Sequence, residues 1–289
     1  MESLLHQVLS GLATGGIYAS MALALVMIYQ ATHHLNFAQG EMAMASTYLA
    51  WSLIAGGVPY WLAFVLTVAL SFAAGVVIER IVLRPMANAP VLSVVIVFIG
   101  MLVIFNSVAG WIFTYTIKTF PSPFPSKPLF GGLISSHELG AMTVTLVVLV
   151  ILYLFFRYTR LGLAMRAAAQ NPVSSRLAGI RVGWMLALGW GLAAAIGAIG
   201  GMMIAPIVFL DPNMMGGVLL YAFAGALLGG ITNPLGAVIG GFLVGIIENV
   251  GGAYIVGTEL KLTLALIIIV AILIVRPSGL FGRAIVSRV

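Results

Sequence analysis

Four uncharged and overwhelmingly apolar runs, Trp61–Val77, Val91–Val108, Met142–Phe156 and Leu262–Val275, constrain this chain more than any other feature. A helix rising about 1.5 Å per residue needs roughly 20 residues of this kind to cross about 30 Å of hydrocarbon. In lipid the backbone amides must be satisfied without water, which leaves helices or closed barrels. None of the runs alternates apolar and polar residues with a period of two, so helices are expected and a barrel is not. Composition agrees. The chain is 62% hydrophobic and 7% charged, against about a quarter charged in soluble domains. Its surface must face lipid.

Spans are expected at about 5–30, 38–56, 59–79, 90–111, 139–157, 183–206, 216–231, 235–253 and 260–276. The seventh is short and Gly-rich, so eight spans with that segment broken or re-entrant is the alternative. The expected fold is an all-α polytopic transmembrane bundle of eight to nine spans, forming a single domain over residues 1–289. Met1–Ser10 has no basic segment and leads into a full span, which predicts a retained helix rather than a removed signal peptide. Glycine organises the packing. Gly11 and Gly15, Gly225 and Gly229, Gly236 and Gly240, and Gly241 and Gly245 are each four apart, a spacing that lets helix backbones approach closely in lipid.

Every arginine falls in one of three places. Arg80 and Arg84 share one loop, Arg157, Arg160, Arg166, Arg176 and Arg181 a second, and Arg276, Arg283 and Arg288 the tail. An arginine at a membrane centre costs about 2.5–3.5 kcal/mol, and basic loops stay cytoplasmic. An odd number of spans, with the N-terminus outside and the C-terminus in the cytoplasm, puts all three groups on one side. The loops 111–138, 207–215 and 254–261 then lie outside with the three lysines, Asp211, Glu138 and Glu259. The long outer loop, about 112–138, carries Pro121, Pro123, Pro125 and Pro128, a stiff extended stretch. It reads as a solvated connector or as a surface for an extracytoplasmic partner. The positive charge belongs to these loops and does not point to nucleic acid.

Several chemistries are excluded. There is no cysteine, hence no disulfide or thiolate site. His33 and His34 diverge on any helix and His6 and His137 are terminal or in a loop, so no metal site is expected. A phosphate-binding Walker loop needs a Gly-Lys pair, whereas Lys118, Lys127 and Lys261 follow Ile117, Ser126 and Leu260. The chain is expected to need no cofactor and to bind no ATP by that route.

The most informative segment is the loop of about 158–182. Ala164–Gln170 favours helix. Asn171 before Pro172 interrupts it, and the same pair starts a new helix as N-cap and first helical residue. Gly179 is placed to close that helix after about two turns. Val173, Leu177 and Ala178 share one face; Ser174, Ser175 and Arg176 lie largely elsewhere. Two readings stand: an amphipathic connector in the headgroup layer, or a docking element for a cytosolic partner.

Beside the Thr159–Gly179 loop stand Gly15-Gly16-Ile17-Tyr18-Ala19, Asn36-Phe37-Ala38-Gln39-Gly40-Glu41, Leu228–Gly241 and Arg276–Gly282. With these motifs in this order the chain resembles the bacterial branched-chain amino acid ABC transporter permeases, and the LivH-type subunit more than its LivM-type companion. Gln39 departs from the histidine that many relatives carry. The resemblance implies a subunit of an inner-membrane importer, without catalysis of its own, that moves branched-chain amino acids. Its implied partners are a second permease subunit (LivM-type or another copy), two cytosolic ATP-binding subunits, a periplasmic amino-acid-binding protein and membrane lipid. It also implies that the loop docks on the ATPase through Arg166, Asn171, Pro172, Ser175, Arg176, Leu177, Ala178 and Gly179. Urea, short amides or another amino acid are the alternative cargoes within the family.

Ionisable and amide side chains within spans are the remaining candidates, because lipid makes them expensive. Glu41, near Asn36 and Gln39, is expected either in a hydrogen-bonded turn or along the translocation path. Glu248 and Asn249 lie deeper, Asn106 sits toward the end of the fourth span, and Asn233-Pro234 is expected to leave helix ends facing the path. Asn36, Glu41, Asn233 and Glu248 are the path candidates. An ion-coupled carrier is the rival class, and Glu41 and Glu248 are the only membrane carboxylates able to serve it.

Overall fold

A computed structural model describes residues 2–32, 34–87, 89–125 and 127–282. His33, Arg283 and Arg288 lie outside the described residues. Eleven helices appear among them: α1 (Glu2–Thr32), α2 (Gln39–Ala55), α3 (Tyr60–Ile78), α4 (Val91–Phe113), α5 (Ser136–Tyr158), α6 (Arg160–Gln170), α7 (Pro172–Leu177), α8 (Val182–Val208), α9 (Met215–Gly229), α10 (Pro234–Gly251) and α11 (Lys261–Val275). The only strands described are β1 (Pro128–Leu129) and β2 (Ile134–Ser135), an antiparallel pair. The fold is that of a polytopic membrane protein. Seven helical stretches are long and apolar enough to cross a bilayer. The remaining two of the nine expected spans, α2 with 17 residues and α9 with 15, are shorter than a full crossing.

The chain divides into two compact units. The first contains α1 up to Val26, the β1–β2 hairpin, most of α9, and α10 and α11. Here the spaced glycines act as expected. A Cβ on Gly11 would stand 2.8 Å from Ile246 Cα, one on Gly245 2.5 Å from the Gly11 carbonyl, and one on Gly225 2.7 Å from Gly241 Cα. So α10 uses Gly241 and Gly245 against α1, and Gly236 and Gly240 against α9. Ala22, Val26, Ala226 and Ala237 continue the small-residue contact. The outward faces of α11 are left apolar and exposed, with only Ala265 buried along the helix, as suits a lipid-facing element.

The second unit spans Met27–Pro123 and Val144–Gly216. Its axis is α8, buried along most of its length between α2 and α3. A Cβ on Gly75 would lie 2.6 Å from the Trp190 carbonyl, and one on Gly191 2.9 Å from that of Phe72. Further along, a Cβ on Gly201 would lie 2.9 Å from the Ala43 carbonyl. Gly197 and Gly201 of α8 have the same four-residue spacing but were not among the sequence signals.

Gly245→Ala is expected to lower thermal stability by about 1–3 kcal/mol, the usual cost of forcing a methyl group into a filled contact. Gly100→Ala, at a position with no atom within 4 Å of the added Cβ, is expected to be neutral or slightly stabilising. Melting of the detergent-solubilised protein, followed by size-exclusion after heating, separates the two.

Candidate functional site

The loop after α5 folds as its caps dictate. Thr159 Oγ1 accepts from the Gly162 amide at 2.9 Å and starts α6. Gly162, Met165 and Ala168 are buried, whereas Arg160, Arg166 and Gln170 are exposed. A Cβ on Gly162 would stand 2.7 Å from Phe156 Cα, so α6 folds back tightly on the end of α5. The Met165 methyl group comes up against Gly189 of α8.

Asn171 Oδ1 accepts from the Ser174 amide at 3.0 Å and starts α7, with Pro172 at its first position. At the other end Ile180 N–H donates to Ser175 O at 2.9 Å and Gly179 N–H to Arg176 O at 3.0 Å. This is the paired closure of a Schellman motif, and Gly179 supplies the left-handed backbone it requires, with φ +81°. The faces of α7 are opposite to those of an ordinary surface helix. Val173 and Leu177 are 66% and 86% exposed, and Ser175 is buried. Arg176 lines a cavity of about 540 Å³ together with His34, Glu79, Arg84, Val94 and Trp190. Two of the three arginine groups therefore meet at one end of this unit, where the Arg80 guanidinium also sits 3.6 Å over the Trp184 ring.

A polar cluster lies deeper in the same unit. Asn36 is fully buried; its Oδ1 accepts from the Ala38 amide at 3.0 Å and its Nδ2 donates to Gln39 Oε1 at 3.3 Å. Gln39 Nε2 in turn donates to Ala193 O at 2.9 Å. Ala193 is near the midpoint of α8, so α2 begins level with the middle of that helix, which explains its length. Non-helical backbone at such depth needs internal partners, and Asn36 with Gln39 supplies them.

Glu41, one step further along α2, takes no part in that turn. It is 7% exposed, and its Oε2 has no hydrogen-bond partner. Asn106 of α4 and Asp211 both act on its carboxylate. Asn106 Nδ2, however, gives its hydrogens to Pro212 O at 2.8 Å and Asn213 Oδ1 at 3.1 Å. The turn that carries Asp211 follows α8 directly, and α4 and α8 both end in a non-glycine residue with positive φ, Thr114 at +64° and Phe209 at +65°. Behind these ends Lys118 and Leu210 exchange backbone bonds of 2.9 Å. Asp211 is half-buried in this turn, and its Oδ1 accepts from the Asn213 amide at 2.6 Å.

The other two path candidates belong to the first unit. Asn233 caps α10, accepting from the Gly236 amide at 3.2 Å, and its Nδ2 donates to Phe281 O at 3.1 Å. The helix end expected to be free is capped. Glu248 accepts from the Tyr18 hydroxyl at 2.8 Å and lies 3.6 Å from Lys261 Nζ. Asn249 Nδ2 donates to Thr14 Oγ1 at 3.0 Å. Tyr18 and Lys261 were missed in the sequence. A tyrosine in the middle of an apolar first span is a usable signal; the lysine, across a helix break, gives none.

Comparison with known proteins adds the missing context. A sequence model described as the branched-chain amino acid transport system / permease component matches residues 7–273. The chain is 31% identical to the high-affinity branched-chain amino acid transport system permease protein LivH of Escherichia coli K12, over 99% of this chain and 97% of the relative. It is 30% identical to the corresponding permease protein BraD of Pseudomonas aeruginosa, over 99% and 98%. A probable LivH of Methanocaldococcus jannaschii is 28% identical over 91% and 87%.

Asn171→Ala removes the cap of α7 and is expected to cost about 1 kcal/mol locally. Hydrogen exchange at residues 174–180 should quicken about fivefold, with the amides of α8 unchanged.

Proposed function

The chain belongs to the branched-chain amino acid transport system permease family, and on that premise we propose that it is the membrane-spanning subunit of an ATP-driven importer of branched-chain amino acids in a bacterial inner membrane. It is a multi-pass membrane protein that works within a transport complex, and its role is transport rather than catalysis. The finer composition follows from the proposal. Two cytosolic ATP-binding subunits, a second permease (LivM-type or another copy) and a periplasmic amino-acid-binding protein complete the machine. Residues 1–289 act in it as one permease domain, with the N-terminus outside and the C-terminus in the cytoplasm.

One observation carries this reading: α7 is stiffened at both ends by its own caps and turns two large apolar side chains away from the protein. Burying a valine or leucine fully is worth about 1.5–3 kcal/mol, so Val173 and Leu177 together supply enough to anchor a partner. The segment 158–182 is then the coupling loop. Leu177 and Ala178 meet the ATPase, Arg166 and Arg176 flank the contact, Asn171, Pro172 and Gly179 hold the helix in shape, and Ser175 seats it on the permease. Closure of the ATPase pair moves α7. The motion passes through α6, whose Met165 rests on α8, into the helix that organises the second unit, and gating by rigid-body rocking follows.

Of the four polar path candidates, Glu41 is the one proposed to meet the cargo. Asn36, Asn233 and Glu248 spend their polar atoms on holding the fold. Selection falls mainly to the binding protein. The ion-coupled alternative would need uptake to continue without ATP.

Leu177→Asp is expected to reduce co-purification with the ATP-binding subunits at least tenfold, since 1.4 kcal/mol corresponds to a factor of ten, while membrane insertion stays normal. A cysteine placed at exposed Ser174 should react with an impermeant maleimide in inside-out vesicles and not in intact spheroplasts. Labelling from the outside would reverse the topology and remove the docking role.

A further inference from the structure

We infer that Glu41 and Asp211 form a recognition site for the ammonium group of the amino-acid cargo, held between the start of α2 and the turn after α8. The inference rests on the importer reading and adds a chemical class of contact to it.

Three features single out this site. Glu41 is buried, yet its Oε2 is bonded to nothing. Two turns along the same face of α2, Tyr48 is 1% exposed and its hydroxyl is likewise without a partner. The turn that carries Asp211 is bound to the same region through Asn106 of α4, whose Nδ2 donates to Pro212 O at 2.8 Å and Asn213 Oδ1 at 3.1 Å. Buried polar atoms are nearly always paired in a finished structure, so two open ones two turns apart on one helix mark a place for a missing group. The charge balance gives its sign. Among the described residues neither Glu41 nor Asp211 is ion-paired with a lysine, arginine or histidine; the ion pairs are Arg80 with Glu79 and Lys261 with Glu248. The Asn106 amide also acts on Glu41, but it is shared with Pro212 O and Asn213 Oδ1 and carries no charge to balance the carboxylate.

A primary ammonium answers this arrangement. It brings one positive charge and three N–H donors, and a charge-assisted bond is about twice as strong as a neutral one. The Tyr48 hydroxyl, able to donate as well as accept, is the group left for the other end of a zwitterion. Glu248 offers the contrast. With Tyr18 and Lys261 already on it, it has no vacancy for a cation.

The test uses the complete transporter with its ATP-binding subunits and binding protein. In proteoliposomes, ATP-dependent uptake of labelled leucine should fall at least tenfold in Glu41→Gln, with the ATP-binding subunits still co-purifying. Wild-type uptake unchanged in the variant would overturn the inference and leave the importer reading intact; no ATP-dependent leucine uptake by wild type would overturn both. A measurement on the wild type guards against misfolding of the variant. Dicyclohexylcarbodiimide labelling, mapped by mass spectrometry, should be reduced at Glu41 by millimolar leucine at least threefold. The deaminated analogue 4-methylpentanoate should give no protection, and labelling at Glu248 should not respond to leucine. Equal protection by 4-methylpentanoate, or by sodium chloride at the same concentration, or protection by none of them, would refute an ammonium site.

Discussion

Close backbone approach is the constraint on which each unit depends. Lipid removes the hydrophobic drive that packs soluble helices, because an aliphatic side chain gains little by leaving an acyl chain for a protein neighbour. What remains is contact area and polar bonding, and both grow as helix axes come together. Gly241 and Gly245 bring α10 onto α1, and Gly225 with Gly240 brings it onto α9. In the other unit Gly75 and Gly191 join α3 to α8. The polar ties, Tyr18 with Glu248 and Gln39 with Ala193 O, then span the distances those contacts create.

What could be read in advance was local. Asn171, Pro172 and Gly179 specify a cap, a first turn and a stop within nine positions, and the structure has all three. Four-residue glycine spacing reports a helix face without reference to any partner, so α1, α9 and α10 were legible. Depth was not. A polar turn such as 34–38 or 209–214 looks like a solvated connector wherever it occurs. Only tertiary bonding places Asn36 opposite the middle of α8, or joins the turn after α8 to Asn106 of α4. Ser175 shows the same limit: the two-turn helix was visible, but which of its faces would be buried was decided by α6 and α8.

Two of the buried carboxylates, Glu41 and Glu248, show why a residue type alone does not disclose a role. Both sit in apolar helices, and in sequence they were equivalent candidates. Glu248 is enclosed by a hydroxyl and an ammonium from its own chain, which makes it a fastening. Glu41 keeps a carboxylate oxygen without a hydrogen bond, and no ammonium or guanidinium of the described residues pairs with it. The difference lies entirely in neighbours more than 60 residues away from Glu41 and more than 200 from one partner of Glu248.

The Glu248–Lys261 pair also bears on how the chain enters the bilayer. Without Lys261 at the start of α11, α10 alone would bury the charge of Glu248 uncompensated, at several kcal/mol. Together, α10 and α11 form a hairpin whose charges cancel across their junction. Biogenesis should therefore favour their insertion as a couple, with the insertion machinery retaining α10 until α11 emerges from the ribosome.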